Sequence, residues 1–452
     1  MARPLTVTRP RQEDRTGRKV ADEAAADDDM PGYDARLEPD AEETRRALRK
    51  VDLCILPFIV LCFCFLQFDR TNVGNALTDS LAEDIGVDNS DMNLSQTLFT
   101  AGLVVTELPF NLVSRWAGPE RFLPVTMFAW GTVTWAQMFV RDAAGLCAAR
   151  FLVGALEGGY VAGFALYLSG YYVNGELALR LAVFWASNAF AGALGGPLSI
   201  GLLSLRGRGG LEGWQWLFLI GTLTLSSLFL LLALGRGSRP VVLPRHVAMT
   251  FADWRLYGHV LAGLLSMVMV APMNTYAPSI IKSLGFTRLQ ANGLNSVGSI
   301  CSLMLSVSLA YSSDRSRERG MHIAAGYLVG AAGLLWLALA PSGVGKWTLY
   351  GGVVWTQMGM GSAQAISAAW LTAKMEDCKH PVALAAYVMS LQLANFAGNQ
   401  LFRTQDAPRY RPGLVIAAAC AVAAAVVILV WKLLYRVFDG GDGGIGEERG
   451  RG

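Results

Sequence analysis

The chain has 452 residues, of which 53% are hydrophobic and 16% charged, and its formal net charge is +3. Soluble globular proteins carry roughly 25% charged residues, so this composition excludes an ordinary soluble protein. Uncharged apolar stretches recur between residues 53 and 436, each near the roughly 20 residues that a helix needs to cross a bilayer. We therefore predict an all-α, multi-pass membrane protein, with the lipid bilayer and no nucleic acid as partner.

The first residues of the chain form a polar segment without aromatic or apolar clusters. Residues 1–48 mix acidic and basic side chains, which predicts a disordered tail. No apolar core segment follows a basic start, so we expect no cleavable signal peptide. The first membrane helix then serves as the targeting signal.

Twelve membrane-length segments follow, six in each half of the chain. They are centred near residues 65, 104, 131, 157, 191, 225, 268, 300, 331, 359, 392 and 424. A polar and basic connector, residues 237–255, joins six-helix bundles at residues 49–236 and 256–437, and a Gly-rich tail occupies residues 438–452. Twelve helices arranged as six plus six are typical of one large class of secondary transporters.

The loops predict the orientation of these helices. Lys and Arg are more frequent in the loops on the side of the N-terminus, whereas residues 78–93, TDSLAEDIGVDNSDMN, are strongly acidic and fall on the opposite side. Because positive loops stay inside, we expect both termini in the cytosol. Basic turns at residues 114–122 and 312–322 occupy matching places in the two halves, which indicates a duplicated six-helix unit.

An Asp-Arg pair follows the first apolar run, in the stretch QFDRTNVGNA. As a helix, Leu53 to Phe68 rises about 24 Å, short of a roughly 30 Å hydrocarbon core. The helix must therefore continue, which places Asp69 and Arg70 inside the membrane. A charge there costs a few kcal/mol and needs a partner or a water-filled cavity. The alternative is an early helix end, with both side chains reaching the lipid headgroups.

The fourth predicted membrane segment also carries two charged residues within its apolar run. Arg150 and Glu157 are seven residues apart in RFLVGALEGGY, so they project from one face about 10 Å apart along the axis. A third acidic residue, Glu107 in TELPFNL of the second segment, is either a gate partner or a packing residue before Pro109.

These residue types suit the transport of an organic anion. A guanidinium binds a carboxylate through two parallel hydrogen bonds and stays charged, so Arg70 or Arg150 suits an anionic substrate. A carboxylate in a low-dielectric cavity changes its protonation when a neighbouring Arg moves. Glu157 and Asp69 are therefore candidate proton carriers.

Six strings in chain order resemble the anion:cation symporter family of the major facilitator superfamily, in particular its fungal allantoate permease branch. They are FDRTNVGNA, ELPFNLVSRWAGPERFLP, RFLVGALEGGYVAG, GWQWLFLI, YAPSIIKSLGFTRLQAN and RTQDAPRYRPG. The resemblance covers residues 49–436. It implies a proton-coupled importer, monomeric and in the plasma membrane, of a small carboxylate such as allantoate, nicotinate or pantothenate.

The resemblance also implies site residues. In bacterial relatives the Asp-Arg pair and the fourth-helix Arg and Glu take part in coupling and binding, which here are Asp69, Arg70, Arg150 and Glu157. The family lines its cavity from the tenth and eleventh helices as well. The matching positions are Ser367, Trp370, Asn395 and Asn399. The Trp is alternatively a packing residue, and the Asn residues alternatively bridge helices.

The chain departs from the family pattern in three places. GWQWLFLIGT lacks the usual Glu, with Gly221 near its place, and it has Gln215 where Arg is common. The central connector is also short for a fungal member. An altered gate is one explanation of these departures.

Other functions are less consistent with the sequence. The one GK dipeptide, in GVGKW, lacks the Gly and Ser or Thr of a phosphate loop, which disfavours transport driven by ATP. The cysteines and histidines show no CxxC, HExxH or catalytic spacing, so we expect no metal, no cofactor and no enzymatic activity, with a proton gradient as the driving force. Proton-driven efflux, for which GALGGP at residues 192–197 is a partial signal, and a non-transporting nutrient sensor remain alternatives.

Overall fold

The computed structural model describes Arg46 and residues 48–160, 163–164, 174–220, 244–341, 343–361, 363–375, 379–407 and 409–438. The chain divides into two units, Met1–Phe58 and Ile59–Gly452. In the first, the described residues are helical; the second contains every contact discussed below. The predicted tails and most of the predicted sixth membrane segment, residues 221–243, lie outside the described residues.

Fourteen helices organise the described part of the chain, which has no β-strand. They are α1 (Leu56–Ala76), α2 (Leu81–Ile85), α3 (Asn89–Ala117), α4 (Pro119–Ala136), α5 (Ala143–Glu157), α6 (Asn174–Leu203), α7 (Pro244–Phe251), α8 (Arg255–Ser283), α9 (Arg288–Ser316), α10 (Arg319–Leu339), α11 (Lys346–Met360), α12 (Gln364–Ala373), α13 (His380–Gly398) and α14 (Arg411–Phe438). Residues 213–220 are also helical. We call the part up to residue 220 the N-terminal half and the part from residue 244 the C-terminal half.

The long helices match the predicted membrane segments. Within the described residues, five helical stretches are long and apolar enough to cross a bilayer: Leu48–Ala76, Arg255–Ser283, Arg288–Ser316, Arg319–Leu339 and Arg411–Phe438. Phe190–Leu203 and Val382–Gly398 are shorter apolar helices. The prediction of an all-α membrane protein is confirmed, while the count of twelve spans and the boundaries of the two bundles stay predictions.

The second long helix of each half begins with the same capping device. The Asp88 side chain accepts hydrogen bonds from the first-turn amides of α3, and the Asp91 side chain accepts one from the backbone N–H of Asp88. Thr287 and Gln290 form the equivalent reciprocal pair at the start of α9. Such pairs satisfy backbone N–H groups that have no partner inside the helix, and they fix where these two helices start.

Two predicted helices are interrupted. The sequence predicts a continuous fourth segment, but α5 ends at Glu157, where Gly158 and Gly159 follow and Gly159 has φ +76°. Glycine adopts this left-handed conformation without steric cost. Thr106 of α3 donates to the carbonyl of Ala155 at 2.7 Å. The tenth segment likewise divides into α11 and α12, which are separated by Gly361 and the two residues that follow it.

Glycines bring α5 into direct contact with α3. A Cβ on Gly154 would lie 2.0 Å from the carbonyl oxygen of Phe99, and one on Gly102 would lie 2.4 Å from that of Phe151. No side chain fits between the two backbones. Small residues of this kind let membrane helices approach closely, so α5 and its charged residues are held firmly against α3.

A hydrophobic core fills the C-terminal half. It joins Met269 and Tyr276 of α8 to Leu334 of α10, Val353 of α11 and Leu414 of α14. A second cluster joins the end of α1 to α2 and to the helical segment 213–220, through Val73, Leu81 and Phe218 among others. These two cores support the helix ends on the side where the halves meet.

Candidate functional site

The charged residues of α1 lie inside the protein. Helix α1 continues to Ala76, six residues beyond Arg70, and Asp69 is buried. The early helix end considered above is therefore wrong. The helix does not end at the pair because residues 71–76, TNVGNA, are helical as well. They supply the length that the apolar run alone lacks for crossing the bilayer.

Arg70 and Glu157 form an ion pair between α1 and α5. The Nε and Nη2 atoms of Arg70 lie 2.8 and 2.7 Å from the same oxygen, Oε2 of Glu157. The Glu157 side chain is fully buried, whereas that of Arg70 is 23% exposed. The guanidinium also lies over the ring of Phe99, 5.4 Å from its centroid. Within this ion pair, the Glu157 side chain is thus inaccessible to solvent and the Arg70 side chain is partly accessible.

The second oxygen of Glu157 has no such partner. Within the described part of the chain, Oε1 is buried and makes no hydrogen bond. An unpartnered buried carboxylate oxygen is costly when the group is ionised, and the cost falls when it carries a proton. Oε1 is therefore the atom at which this carboxyl can take up a proton without losing the contact of Oε2.

Asp69 lies behind the pair and faces α4. Its Oδ2 accepts a hydrogen bond from Thr134 at 3.0 Å, while Oδ1 has no hydrogen-bond partner among the described residues. Asp69 interacts electrostatically with both Arg150 and Arg70. The carboxyl group of Asp69 is thus turned towards Thr134 of α4, while its neighbour Arg70 is turned towards Glu157.

Arg150 is a buried cation without a close anionic partner in the described residues. Its Nε and Nη2 atoms make no hydrogen bond there, and the guanidinium lies 5.9 Å from the ring centroid of Phe218. It interacts electrostatically with Asp69 and Glu157. Arg150 therefore balances two acidic residues from a distance instead of pairing with either.

Glu107 of α3 is the third acidic residue of this cluster. It is buried, its Oε2 has no hydrogen-bond partner among the described residues, and it interacts electrostatically with Arg70. The structure thus brings together five charges predicted from the sequence, on three helices of the N-terminal half. They are Asp69, Arg70, Glu107, Arg150 and Glu157.

A polar cavity of about 130 Å³ lies beside this cluster, between the two halves. Helix α1 contributes Thr71, the residue directly after Arg70, and Asn75; α6, α8, α9, α11 and α12 contribute the rest. Six of the described lining side chains are carboxamides, and none of the described ones is charged. These six are Asn75, Asn188, Asn274, Asn295, Gln357 and Gln364, which we call the carboxamide lining.

The four predicted residues of the tenth and eleventh segments do not line this cavity. Ser367 is buried and shares a 2.9 Å hydrogen bond with Nδ1 of His259. Trp370 packs on the same imidazole, at 5.1 Å between ring centroids. Asn395 donates to Gln392 within α13, and Asn399 is buried at the end of that helix. Their predicted role in substrate binding stays a prediction.

The halves are joined at the end of the helices where α1 gives way to α2. Asp79, whose side chain is fully buried, pairs with Arg206 of the N-terminal half at 3.3 Å and with Arg288 of the C-terminal half. It also accepts the backbone N–H of Trp214 at 3.1 Å. We call Asp79, Arg206 and Arg288 the Asp79 latch.

Further hydrogen bonds close the same end. Lys282 donates to the carbonyl of Thr78 at 2.8 Å, and Asn292 to the Thr78 hydroxyl at 2.7 Å. Tyr276 donates to Asn93 at 2.6 Å, and Asn93 donates to the carbonyl of Phe402 at 2.8 Å. All of these bonds run between the halves, so the molecule is closed at this end.

Sequence reasoning missed the carboxamide lining, the Asp79 latch and Thr134. Asn75 and Asp79 could have been noticed, because both lie in TNVGNALTDS, the polar stretch that follows Arg70. The signal that could have found them is polarity in a segment that must still cross the membrane, because such residues face a protein interior or a cavity. Nothing in the spacing pointed to Thr134, which is one of three threonines in the apolar helix α4.

The apolar helices, the buried charges inside them and the polar cavity between two halves define a multi-pass membrane transporter of small molecules. Residues 59–399 match the model of the Major Facilitator Superfamily, three quarters of the chain. The chain belongs to this superfamily, whose members carry small molecules by secondary transport with alternating access.

Relatives of known sequence are named as transporters, which supports the prediction that the chain is not an enzyme. An uncharacterised transporter of Saccharomyces cerevisiae is 25% identical over 86% of this chain and 80% of its own length. The major facilitator-type transporter hxnP of Emericella nidulans is 27% identical over 88% and 87%. A putative tartrate transporter of Agrobacterium vitis is 31% identical over 66% and 74%.

Solved structures confirm the fold. The D-xylose–proton symporter superimposes with a TM-score of 0.70 over 83% of this chain and 97% of its own, at 15% sequence identity. A bacterial homologue of the human lysosomal transporter Spinster gives a TM-score of 0.64 over 86% and 97%, at 13% identity. At these identities the likeness concerns the fold alone.

Proposed function

We propose that this protein is a proton-coupled symporter that imports a small organic anion, in the anion:cation symporter family and its allantoate permease-like branch. The observation that carries the proposal is the ion pair between the partly exposed Arg70 and the fully buried Glu157. The name of the tartrate transporter relative is consistent with an anionic substrate. We place the protein in the plasma membrane, as a monomer with both termini in the cytosol.

Arg70 is the anchor for the substrate in this proposal. Its guanidinium is the cation of the cluster that solvent reaches, since Arg150 is 1% exposed. A planar fork suits a carboxylate bidentately. In the present state Glu157 occupies that fork, so the substrate carboxylate competes with Glu157 for Arg70.

This competition couples the anion to a proton. When Glu157 is ionised it holds Arg70; when it carries a proton, on the unpartnered Oε1, its attraction for Arg70 weakens and the fork becomes free. Protonation of Glu157 therefore favours anion binding, and by linkage anion binding favours protonation to the same extent. An empty, deprotonated carrier and a loaded, protonated one are the two stable forms.

Charge balance supports the same mechanism. In the loaded form the substrate carboxylate replaces the charge that Glu157 has lost, so the net charge of the cluster does not change. One proton per monoanion then makes the cycle electroneutral. Each further proton, for which Asp69 and Glu107 are the candidates, adds about 2.3 kcal/mol per 100 mV of membrane potential.

The contacts between the halves supply the alternation of access. The Asp79 latch and its neighbouring hydrogen bonds close the end that the loop charges place outside the cell. Opening towards the outside requires these bonds to break. Import then consists of loading at acidic outside pH, closure of the latch, and release of anion and proton on the other side.

The test uses the full-length protein in proteoliposomes and a panel of labelled small carboxylates. For the transported anion, an outside-acid gradient of one pH unit should give about tenfold accumulation if one proton accompanies each anion. Glu157→Gln should abolish this accumulation but retain exchange of labelled for unlabelled anion. The matched control is Glu83→Gln, at an exposed position, which should behave as wild type. Gradient-driven accumulation by Glu157→Gln would refute the coupling role.

A further inference from the structure

The cavity next to the charged cluster has a chemistry of its own. Its described lining consists of apolar and glycine residues, Thr71, two serines and the carboxamides of Asn75, Asn188, Asn274, Asn295, Gln357 and Gln364, and carries no charge. Carboxamides offer both donors and acceptors. A region built from them recognises uncharged polar groups rather than ions or hydrocarbon.

Asn75 shows that part of this capacity is unused. Its side chain is only 3% exposed and faces the cavity. Within the described residues its carboxamide makes no hydrogen bond, and its one recorded bond is accepted by the backbone carbonyl, from Thr78. The carboxamide of Asn75 therefore has donors and an acceptor to offer to a polar group that enters the cavity.

The opposite wall holds its carboxamides in a fixed arrangement. Nε2 of Gln357 donates to Oδ1 of Asn295 at 2.7 Å, which leaves the N–H donors of Asn295 for other partners. A Cβ on Gly298 would lie 1.5 Å from Oε1 of Gln357, so the Gln357 side chain occupies a slot that this glycine leaves open. The pair of α9 and α11 is thus positioned before any ligand arrives.

The distance between anchor and lining limits the ligand. Asn75 follows Arg70 by five residues on α1, a rise of about 7.5 Å. The cavity volume of about 130 Å³ is well below that of a pocket for a drug-sized ligand. A ligand that reaches both places is a small molecule with its polar groups a few bonds away from its carboxylate.

We propose, on the basis of the function proposed above, that the carboxamide lining selects the substrate: a small monocarboxylate whose other end carries uncharged hydroxyl or amide groups. A hydrocarbon end leaves Asn75 and Asn295 without partners, which sites of this kind reject strongly. A second carboxylate finds no cation among the lining residues that the structure describes, and an unpaired charge in a membrane interior is costly.

Four carboxylates of four carbons separate these requirements. Butyrate has neither hydroxyl groups nor a second carboxylate, threonate has hydroxyl groups only, succinate has a second carboxylate only, and tartrate has both. Binding to the purified full-length protein is measured as the ligand-dependent rise in the midpoint of thermal unfolding, which follows ligand affinity. We expect threonate to bind at least about tenfold more tightly than the other three.

Paired variants then test the residues. Gln357→Met keeps the length of the side chain, removes the carboxamide and should weaken threonate binding about tenfold, with little effect on butyrate. The matched control is Gln392→Met on α13, a carboxamide that bonds to Asn395 outside the cavity, which should leave the order of the four ligands unchanged. Equal effects of the two variants would overturn the proposal.

The outcome distinguishes this inference from the proposed function. If the ligands bind and Arg70→Ala abolishes binding, but butyrate, succinate or tartrate binds as well as threonate, the inference fails and the symporter proposal stands. If binding of all four is independent of Arg70, both fail. If none of the four binds while another carboxylate of the uptake panel binds in an Arg70-dependent way, the inference alone fails. Tight binding of threonate that depends on Arg70 and Gln357 supports both.

Discussion

The two halves of the molecule meet around one cavity, but they contribute different chemistry to it. The N-terminal half places five charges on three helices, four of them buried and Arg70 partly exposed, and Arg70–Glu157 is the one direct ion pair that the structure describes among these five. The C-terminal half supplies carboxamides and serines, and the residues that it places on the cavity wall are uncharged. The difference indicates a division of labour, in which the N-terminal half holds the charges proposed for proton coupling and carboxylate binding, while the C-terminal half contributes four of the six carboxamides proposed to contact the rest of the substrate.

The supports of the two sets of residues also differ. The charges on α5 rest on α3 through glycines that leave no room for a side chain, whereas the carboxamides of α9 and α11 are held by a hydrogen bond between two side chains. A charged cluster needs fixed geometry, because its partners lose most of their interaction if they separate in a low dielectric.

The largest effect should come from breaking the ion pair itself. Arg70→Ala removes the substrate anchor and leaves the buried Glu157 without its cation. Loss of one partner of a buried charge pair costs about 2–5 kcal/mol, which corresponds to about a 30-fold or greater loss of anion binding. The measurement is uptake of the transported anion in proteoliposomes. The control is Arg208→Ala, at an exposed position, which should take up the anion as wild type does. Wild-type uptake by Arg70→Ala would contradict the role of Arg70 as the substrate anchor.

The next largest effect should come from the contact between α3 and α5. Gly154→Ala forces the two backbones apart, since its Cβ would meet the carbonyl oxygen of Phe99 at 2.0 Å. Overpacking of this kind costs on the order of 2 kcal/mol. The midpoint of thermal unfolding should fall by several degrees. Gly201→Ala on α6, where nothing lies within 4 Å of the added atom, should leave it unchanged; equal midpoints would show that the contact is not rigid.

A smaller effect is expected at the Asp79 latch, which joins the halves without touching the cavity. Asp79→Asn removes the charge that holds Arg206 and Arg288 together. The closed state should lose about 1.4 kcal/mol, a tenfold shift in the ratio of open to closed molecules. Spin labels at Glu83 and Ser283, one in each half, should report a larger share of long distances. Asp314→Asn, at an exposed position, should give the wild-type distribution, and an unchanged distribution in Asp79→Asn would exclude a gating role.

The smallest effect should follow Thr134→Val, which removes the one hydrogen bond that the structure describes at the Asp69 carboxylate. A typical hydrogen bond contributes about 1 kcal/mol net, and Asp69 still interacts electrostatically with Arg150. We expect a several-fold slower gradient-driven uptake with unchanged affinity for the anion. A change in affinity without a change in rate would place Asp69 in substrate binding instead of coupling.

Much of the site could be predicted from the sequence because charges are rare in membrane helices. The length of the run from Leu53 to Phe68 required Asp69 and Arg70 to lie within the membrane, and the structure buries Asp69 there. The seven-residue spacing of Arg150 and Glu157 predicted one helix face, and both lie on α5. Such inferences hold within one helix because its geometry fixes the direction of every side chain.

The sequence could not predict which helices become neighbours. It left open whether Arg70 or Arg150 holds an anion, and the structure pairs Arg70 with Glu157, 87 residues away. Ser367 and Trp370 sit at suitable positions along their helix, yet they pack around His259 and do not line the cavity. The direction in which these two side chains point depends on how α12 is rotated about its axis relative to the neighbouring helices. The sequence of α12 alone does not determine that rotation.

The sequence by itself thus determined the class of protein, the membrane segments and the presence of charges inside them, since the bilayer imposes length and hydropathy on each helix separately. Only the tertiary structure decided that Asp79 binds Arg288 in the other half, and that carboxamides from α1, α6, α8, α9, α11 and α12 surround one cavity. These contacts depend on side-chain packing between distant segments. That packing is a property of the whole assembly of helices and not of any one of them.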